Sequence, residues 1–330
     1  MKQSKKTTRI LGLSFSQESR AGQGEDNSIV CFSSRAITVL ASLDGCGGTG
    51  ARRYPEMGNE SSARIASRAV RLAIANWFSA PENGFETNGL QNIPAKRIAL
   101  SLKQVIDAHL GEVKKRIVET NAAIKNKLSQ TLPTTLSMAI LEPVGQIARC
   151  VFVWAGDSRG YLLSSSGLRQ ITEDDVAGGV DPDDLSCDGI MSQVVSASGA
   201  YSFHTREVVI SEPAMVITAT DGCFAYFATP MDFEAMLLKI LQEAHDFESW
   251  RQLLIDRLGE IAADDYSMQI ACWGYRDFRD IQQSMKLRLQ VFNEEYGKPL
   301  ATLQQNQDTI GILALWRKYR SYYLYSGDTE

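Results

Sequence analysis

The sequence predicts an α+β domain in which helices cover β-sheets. Short apolar runs typical of strands occur in two blocks, and a helical periodicity of apolar residues follows each block. The order along the chain is therefore strands, two helices, strands, helices and a last strand. Such an order favours sheets that bury one face beneath helices. A length of 330 residues allows roughly two domains or one large one.

Composition and charge exclude several classes of protein. With 44% hydrophobic and 22% charged residues, the chain is ordinary for a soluble globular protein rather than disordered, collagen-like or rod-like. A net charge of −5 does not favour a surface for nucleic acid. No apolar run approaches the ~18 residues of a membrane span, and the basic start at 1–9 is not followed by an apolar signal core. These features predict a cytoplasmic protein without nucleic-acid or membrane partners.

The first block begins with strand-like runs, which lie at 9–15, 28–32 and 36–43. A Gly-rich loop follows, and Asn59 is predicted to cap the first helix. The second helix is predicted to start after Pro94 and to carry its apolar stripe as far as Leu128. His109 falls on this stripe, which predicts a packed histidine in the core or at its boundary.

The second block contains further strand-like runs, which lie at 134–141, 147–155, 160–163, 167–171, 207–210 and 214–220. The first four of these runs are typical of a meander with tight turns. An acidic, Gly-rich stretch at 173–188 is typical of a surface loop. Helical patterns fill 231–261, and a last strand is predicted at 266–273.

The chain divides into two predicted parts, 1–275 and 276–330. In the second part, apolar residues keep helical spacing from Phe278 to Tyr296, a Gly-Lys-Pro break follows at 297–299, and another helix ends in an aromatic cluster. This part forms either a helical hairpin packed on the domain or a docking surface for another protein, because aromatic and Arg-rich patches suit interfaces.

Acidic residues at the ends of apolar strands form the most informative pattern. They are Glu25-Asp26, Asp44, Asp157, Asp221 and Asp264-Asp265. Like charges that converge at the mouth of a sheet raise one another's pKa, so their convergence requires a cation. All-oxygen ligand sets suit Mg²⁺ or Mn²⁺. The three histidines are far apart, and the six cysteines contain no C-x-x-C pair and are predicted to be reduced thiols, which leaves carboxylates as the metal ligands.

The order of these pieces resembles the metal-dependent serine/threonine protein phosphatases of type 2C. That family's markers are an Arg before an acidic pair, Asp-Gly-His-Gly-Gly, a Thr-Thr strand, Gly-Asp-Ser-Arg, a strand ending in Ser-Asp-Gly, and a late Asp-Asn. The corresponding residues here are Glu25-Asp26-Asn27, Asp44-Gly45-Cys46-Gly47-Gly48, Thr134-Thr135-Leu136, Gly156-Asp157-Ser158-Arg159, Thr220-Asp221-Gly222 and Asp264-Asp265. The resemblance spans about Ile10 to Tyr275, and Gly-Asp-Ser-Arg is its most specific element.

The resemblance implies an α-β-β-α sandwich of two mainly antiparallel sheets flanked by helices, followed here by C-terminal helices. It also implies two Mn²⁺ or Mg²⁺ ions at one edge of the sandwich. The implied ligands are Asp44 for both ions, the Gly45 carbonyl and an acid of Glu25-Asp26 for one ion, Asp221 and Asp264 for the other, and Asp157 for a third ion.

The implied reaction is hydrolysis of phosphoserine and phosphothreonine in proteins. Two metal ions would lower the pKa of a bridging water that attacks phosphorus. The implied partners are phosphorylated proteins, among them a Ser/Thr kinase or its targets. Arg20 is the implied phosphate ligand, but it stands five residues before Glu25, whereas the family's Arg stands four before, where Ala21 lies here. Arginines that could substitute for it are Arg9, Arg52 and Arg53.

Cys46 occupies the catalytic position of the family's His, which is thought to protonate the leaving group. Cysteine is a poor general acid in that role, so a lower rate is expected, because proton transfer commonly contributes about 10²–10⁴-fold. Ala225 replaces an Asp of the family, which leaves the third ion at Asp157 open. These departures favour an alternative, in which the type 2C fold is a regulatory or binding module with weak catalysis or none.

Two other motifs overlap the Gly-rich loop. Residues 45–50 satisfy G-x-G-x-x-G, but a dinucleotide site needs a helix that starts among the glycines, and here the helix is predicted to start later. Cys46 and Arg52 have the C-x₅-R spacing of cysteine-dependent phosphatases, in which the loop lowers the pKa of the thiol. Thr49 and Pro55 do not fit the pattern of that family.

Overall fold

Two five-stranded sheets form the centre of the structure, a computed structural model that describes residues 10–33, 37–85, 87–90, 93–117, 131–179, 181, 183, 185 and 189–325. The first sheet has the order β1 (Leu11–Gln17), β12 (Tyr266–Trp273), β11 (Ala214–Ala219), β8 (Arg159–Ser164) and β9 (Gly167–Gln170). The second has the order β10 (His204–Ile210), β7 (Ile147–Ala155), β6 (Leu136–Val144), β3 (Thr38–Leu43) and β2 (Asn27–Phe32). All neighbouring strands in both sheets are antiparallel.

Helices cover both outer faces of the two sheets. The second sheet carries α1 (Ser62–Ser79) and α2 (Ala95–Arg116), preceded by a short ladder of β4 (Arg53–Tyr54) and β5 (Glu60–Ser61). The first sheet carries α3 (Pro230–Glu243), α4 (Phe247–Gly259), α5 (Phe278–Phe292), α6 (Lys298–Gln305) and α7 (Thr309–Tyr323). The predicted α-β-β-α sandwich is therefore confirmed.

Three apolar cores hold the layers together. One lies between the two sheets, where Phe152 of β7 meets Val216 of β11. The others lie between each sheet and its helices, and they contain Trp77 of α1 and Trp250 of α4. Strands β3, β7, β11 and β12 consist almost wholly of buried residues because both of their faces are covered.

The predicted meander at 134–171 is wrong, because the chain changes sheets after β7. Strands β6 and β7 pair in the second sheet, whereas β8 and β9 pair in the first. The crossing begins at Gly156, whose φ of +97° is in a region that residues with side chains rarely adopt. An added Cβ there would also lie 2.8 Å from the Thr135 side chain.

Helix boundaries differ from the prediction at two places. Asn59 adopts a left-handed φ of +62°, and it is Ser61 whose side chain accepts a hydrogen bond from Arg64 N and caps α1. The predicted break at 297–299 is also wrong, because a π-turn leads directly into α6. Proline fits there since the first turn of a helix needs no N–H from it. The predicted extension of α2 from 118 to Leu128 lies outside the described residues.

The residues after Tyr275 pack on the first sheet. Phe292, Trp316 and Tyr319 are buried in the same core as Ile217 of β11 and Met268 of β12. The helices after Tyr275 are therefore packed on the domain, which is one of the two alternatives that the sequence left open. In the described part of the chain, no helix is both long and apolar enough to cross a membrane.

Candidate active site

The acidic residues predicted at strand ends lie at one edge of the sandwich. Asp26 precedes β2, Asp44 follows β3, Asp157 follows β7, Asp221 follows β11 and Asp264 precedes β12. Burial raises the pKa of Asp44 well above its ordinary value, and the charges of the other four carboxylates raise it further. The fold therefore brings together carboxylates that are up to 238 residues apart in the sequence.

Asp44 is held by the Thr-Thr pair that precedes β6. Thr135 Oγ1 accepts a hydrogen bond from Asp44 N at 3.1 Å, and the Thr134 hydroxyl donates to Asp44 O at 2.7 Å. Thr135 also connects to the next acidic loop, because its hydroxyl lies 2.6 Å from that of Ser158. These hydrogen bonds connect the Thr-Thr pair to both Asp44 and the Gly-Asp-Ser-Arg loop.

Asp26 and Asp221 belong to different sheets but meet at this edge. The Thr220 hydroxyl donates to Asp26 Oδ2 at 2.7 Å, which ties the end of β11 to the start of β2. Burial and the charge of Asp221 raise the pKa of Asp26 well above its ordinary value, although this hydrogen bond opposes the shift. Burial and the charge of Asp264 raise the pKa of Asp221 to about 6.

Among the carboxylates at this edge, Asp157 is the one whose surroundings most clearly suit a metal ligand. Burial, followed by the charges of Asp221 and Asp174, raises its pKa to about 7. Its Oδ1 atom is buried and has no hydrogen-bond partner among the described residues. A buried carboxylate oxygen without a partner is costly unless a cation contacts it. The donor chemistry at this edge therefore fits a hard divalent cation.

Within the described residues, no group of three or more His, Cys, Asp or Glu side chains is arranged to hold a metal ion as it stands. Glu25 in particular turns toward α1, where the Ser61 hydroxyl donates to its Oε1. Burial raises the pKa of Glu25, and the bond from Ser61 opposes this shift. The ligand set that the resemblance implies thus stays a prediction.

Asp265 performs a structural role that its sequence position did not reveal. Its two carboxylate oxygens accept hydrogen bonds from Ser19 N at 2.7 Å and Glu25 N at 2.6 Å. It thereby fastens the loop before β2 to the start of β12. Asp264 is exposed beside it, and its Oδ1 accepts a hydrogen bond from Asp265 N at 2.8 Å.

The candidate phosphate-binding arginines occupy different surroundings. Arg20 is exposed in a turn that Gln23 N closes by donating to Arg20 O at 3.0 Å. Arg52 stacks on the Tyr54 ring at 5.0 Å. The charge of Arg53 lowers the pKa of Glu25, so this arginine lies near the acidic edge. Arg9 lies outside the described residues.

The Arg of Gly-Asp-Ser-Arg binds a carboxylate of the chain itself. Arg159 Nε and Nη2 donate to Asp174 at 3.0 and 2.7 Å, and the guanidinium lies 4.2 Å from the Phe224 ring. The next acid, Asp175, accepts a hydrogen bond from Gly156 N at 2.9 Å. The acidic loop after β9 is thus anchored beside Asp157, a contact that spacing alone could not predict.

Cys46 is buried and electrostatically unsuited to act as a nucleophile. Burial raises its pKa well above the ordinary value, and the charges of Asp44, Asp157 and Asp221 raise it further. A cysteine-dependent phosphatase needs the opposite environment, which lowers the pKa of the thiol. The dinucleotide motif also lacks its helix, because α1 begins only at Ser62.

We expect the metal-free protein to lose stability as the pH rises from 5 to 8. The folded-state pKa values of about 7 for Asp157 and about 6 for Asp221 lie above their ordinary value of 3.8. Between pH 4 and 7 the folded state therefore binds more protons than the unfolded state. The stabilising effect of these protons is fully present below pH 4 and is lost as the pH rises through 6 to 7. Urea unfolding in EDTA should show a loss on the order of 1–3 kcal/mol.

The matched control is Asp157→Asn, which removes one titrating group and should flatten this pH dependence. Mn²⁺ at pH 8 should restore the lost stability, because a ligand that binds only the folded state stabilises it. An unfolding free energy that stays level or rises between pH 5 and 8 in EDTA would contradict the assigned electrostatics.

Comparison with solved structures identifies the fold. A bacterial serine phosphatase is 16% identical with a TM-score of 0.59, and the match covers 80% of this chain and 98% of that chain. Stp1 of Staphylococcus aureus is 16% identical with a TM-score of 0.55, covering 80% and 95%. The catalytic domain of the serine/threonine phosphatase PstP, solved with two manganese ions, is 16% identical with a TM-score of 0.51, covering 80% and 97%.

No family model and no curated protein sequence matches the chain. At 16% identity, the structural matches establish the fold alone. The chain therefore has the fold of the bacterial serine/threonine phosphatases, and the type 2C architecture that its motifs predict is confirmed.

Proposed function

We propose that the chain is a metal-dependent phosphatase that hydrolyses phosphoserine and phosphothreonine in proteins with Mn²⁺ or Mg²⁺. The observation that carries this proposal is the group of mostly half-buried carboxylates at one sandwich edge, where the buried Oδ1 atom of Asp157 has no hydrogen-bond partner among the described residues. Phosphorylated proteins are its proposed substrates, and a Ser/Thr kinase or its targets are proposed among them. A related fold binds two manganese ions, which supports the choice of metal.

The proposed metal-holding groups are Glu25, Asp26, Asp44, the Gly45 carbonyl, Asp157, Asp221 and Asp264. The chemistry that such ions supply when bound is activation of a water at neutral pH and neutralisation of charge on the phosphoryl group. The threonine bonds hold the backbone N and O of Asp44 in place before a cation binds, which would reduce reorganisation of this segment during the reaction.

A side-chain nucleophile is not needed in this proposal. The thiol of Cys46 is held protonated, and the hydroxyls of Thr135 and Ser158 are hydrogen-bonded to each other. Arg20, in the loop before Glu25, and Arg53, on β4, are the proposed phosphate ligands, because the charge of Arg53 acts on Glu25 and a guanidinium can contact two phosphate oxygens at once.

Release of phosphate from p-nitrophenyl phosphate and a phosphothreonine peptide tests the proposal. We expect turnover with Mn²⁺ or Mg²⁺ and none with EDTA. Metal-dependent turnover of p-nitrophenyl phosphate without release from the phosphopeptide would overturn the protein-phosphatase part. Equal turnover in EDTA would overturn the metal-dependent mechanism.

A regulatory or binding module is the second candidate function. The presence of Cys46 at the position of the general acid favours it. Protein that binds Mn²⁺ and a phosphopeptide but releases no phosphate would support this candidate over the enzyme.

We expect Cys46→His to raise turnover of a phosphothreonine peptide, by tenfold or more, as general acid catalysis commonly contributes about 10²–10⁴-fold. Burial, the main cause of the raised pKa of Cys46, would lower the pKa of a histidine, whereas the charges of Asp44, Asp157 and Asp221 would raise it and favour the protonated imidazole that donates. Steady-state kinetics of the two proteins measure the effect.

Cys46→Ser is the matched control, since it has nearly the same size and supplies no better acid. It should leave turnover within a few-fold of the natural protein. A folded Cys46→His variant with unchanged or lower turnover would argue against a missing general acid, and complete loss in Cys46→Ser would revive a cysteine mechanism.

A further inference from the structure

A cavity of about 350 Å³ lies between α1 and the loop that leads into β2. Its polar lining includes Glu18, Asp26, Arg64, Arg68 and Arg71. The three arginines come from one helix at spacings of four and three residues, which places their side chains on one face. Its volume is within the range of sites for small ligand groups.

The guanidinium groups of this cavity have more hydrogen-bond donors than the described residues satisfy. Arg71 Nε donates to the Ser28 carbonyl at 2.9 Å, and among the described residues Arg71 pairs with no carboxylate. Arg64 Nε is buried and has no hydrogen-bond partner in the part of the chain that the structure describes, and the carboxylate of Glu60 lies 3.6 Å from it, too far for a hydrogen bond. Spare donors on a cationic surface favour an anionic ligand.

Carboxylates around the cavity only partly neutralise it. Glu60 pairs with both Arg64 and Arg68, and Glu18 lies 3.5 Å from Arg64. The Asp26 carboxylate accepts the Thr220 hydroxyl instead and belongs to the acidic edge. The carboxylates of Glu18 and Glu60 thus pair with Arg64 and Arg68, and among the described residues Arg71 is the arginine of this cavity that has no carboxylate partner.

We infer that this cavity binds an anionic side chain of the substrate, a carboxylate or a second phosphate, a few residues from the phosphoresidue. The inference rests on the proposed function, because it takes the acidic edge as the place where the phosphoresidue lies. Asp26 belongs to both sites, so a peptide placed at that edge extends its neighbouring residues over the arginines. The forked donors of arginine suit both carboxylate and phosphate.

Three phosphothreonine peptides test this inference: one with glutamate flanks, one with glutamine flanks and one with a second phosphate. The readout is the ratio of kcat/KM between the anionic peptides and the glutamine peptide. We expect a preference of about tenfold, the value of one charge-assisted contact, at low salt. The double variant Arg68→Gln, Arg71→Gln should reduce this ratio to about one.

Arg251→Gln is the matched control, because Arg251 is a helical arginine paired with Glu248 on α4, outside the cavity. It should keep the preference of the natural protein. A ratio near one in the natural protein, or an unchanged ratio in the double variant, would overturn the inference. The anionic peptide with the larger kcat/KM ratio to the glutamine peptide shows whether the cavity prefers a carboxylate or a phosphate.

A binding measurement separates failure of this inference from failure of the proposed function. Fluorescence anisotropy with unphosphorylated glutamate and glutamine peptides needs no turnover. Tighter binding of the glutamate peptide that disappears in the double variant would support the cavity even if no substrate is hydrolysed. Equal binding of both peptides, in protein that does hydrolyse phosphothreonine, would overturn the cavity and leave the enzyme intact.

Discussion

Asp44→Asn should lower metal-dependent phosphate release by at least about a thousandfold, since bound cations contribute several kcal/mol to such reactions. Asparagine keeps the shape of the side chain and leaves the backbone bonds to Thr134 and Thr135 in place. The substitution removes the negative charge with which Asp44 would hold a cation in the proposed site. Steady-state hydrolysis of a phosphothreonine peptide with Mn²⁺ measures the loss.

Stability distinguishes this loss from misfolding. Burial and neighbouring charges raise the pKa of Asp44, so a neutral asparagine removes repulsion, and the metal-free variant should be at least as stable as the natural protein. Asp256→Asn is the matched control, because Asp256 is on α4, accepts a hydrogen bond from Gln252 and is not one of the carboxylates of the acidic edge. Turnover close to the natural value in Asp44→Asn would contradict the metal role of this residue.

Glu234→Ala should destabilise the whole chain by about 3–5 kcal/mol, the usual effect of breaking a buried ion pair. Glu234 of α3 is fully buried and accepts hydrogen bonds from Arg288 Nε at 2.7 Å and Tyr319 OH at 2.6 Å. Arg288 also donates to Tyr322 OH at 2.7 Å. The variant would leave the Arg288 guanidinium buried without its carboxylate.

Urea unfolding of the full chain measures this effect. Arg276→Gln is the control, because the pair of Arg276 with Asp280 is a surface pair and should contribute little. An unfolding midpoint for Glu234→Ala equal to that of Arg276→Gln would show that α5 and α7 contribute little to stability. A large loss would make residues after Tyr275 part of the folding unit, so that truncation there would expose the core they share with the sheet.

Strands buried on both faces were the most predictable elements. The bounds of β7 and β12 agree with the sequence prediction, because each is a mainly apolar run that ends directly before a Gly. Helix starts were less predictable, since both Asn59 and Ser61 are good caps and only the local backbone decides between them. The change of sheet at Gly156 depends on packing and left no periodic signal.

The acidic residues of the site were predictable because each stands directly at a strand end. Their convergence follows from sheet order, which the sequence suggested only through the family resemblance. The partners that hold them were not predictable. Asp265 contacts Ser19 across 246 positions, and Thr220 contacts Asp26 across 194, so neither pair has a signal in local spacing.

Calorimetric titration of the full chain with Mn²⁺ at pH 7 tests the central claim most directly. We predict saturable binding accompanied by proton release, because Asp157 and Asp221 have pKa values of about 7 and about 6 before a metal binds. The proton release appears as a heat that changes with the ionisation enthalpy of the buffer, and Asp44→Asn should weaken the binding. Folded protein that shows no binding of Mn²⁺ or Mg²⁺ at millimolar concentration would contradict the assignment of this edge as a metal-dependent active site.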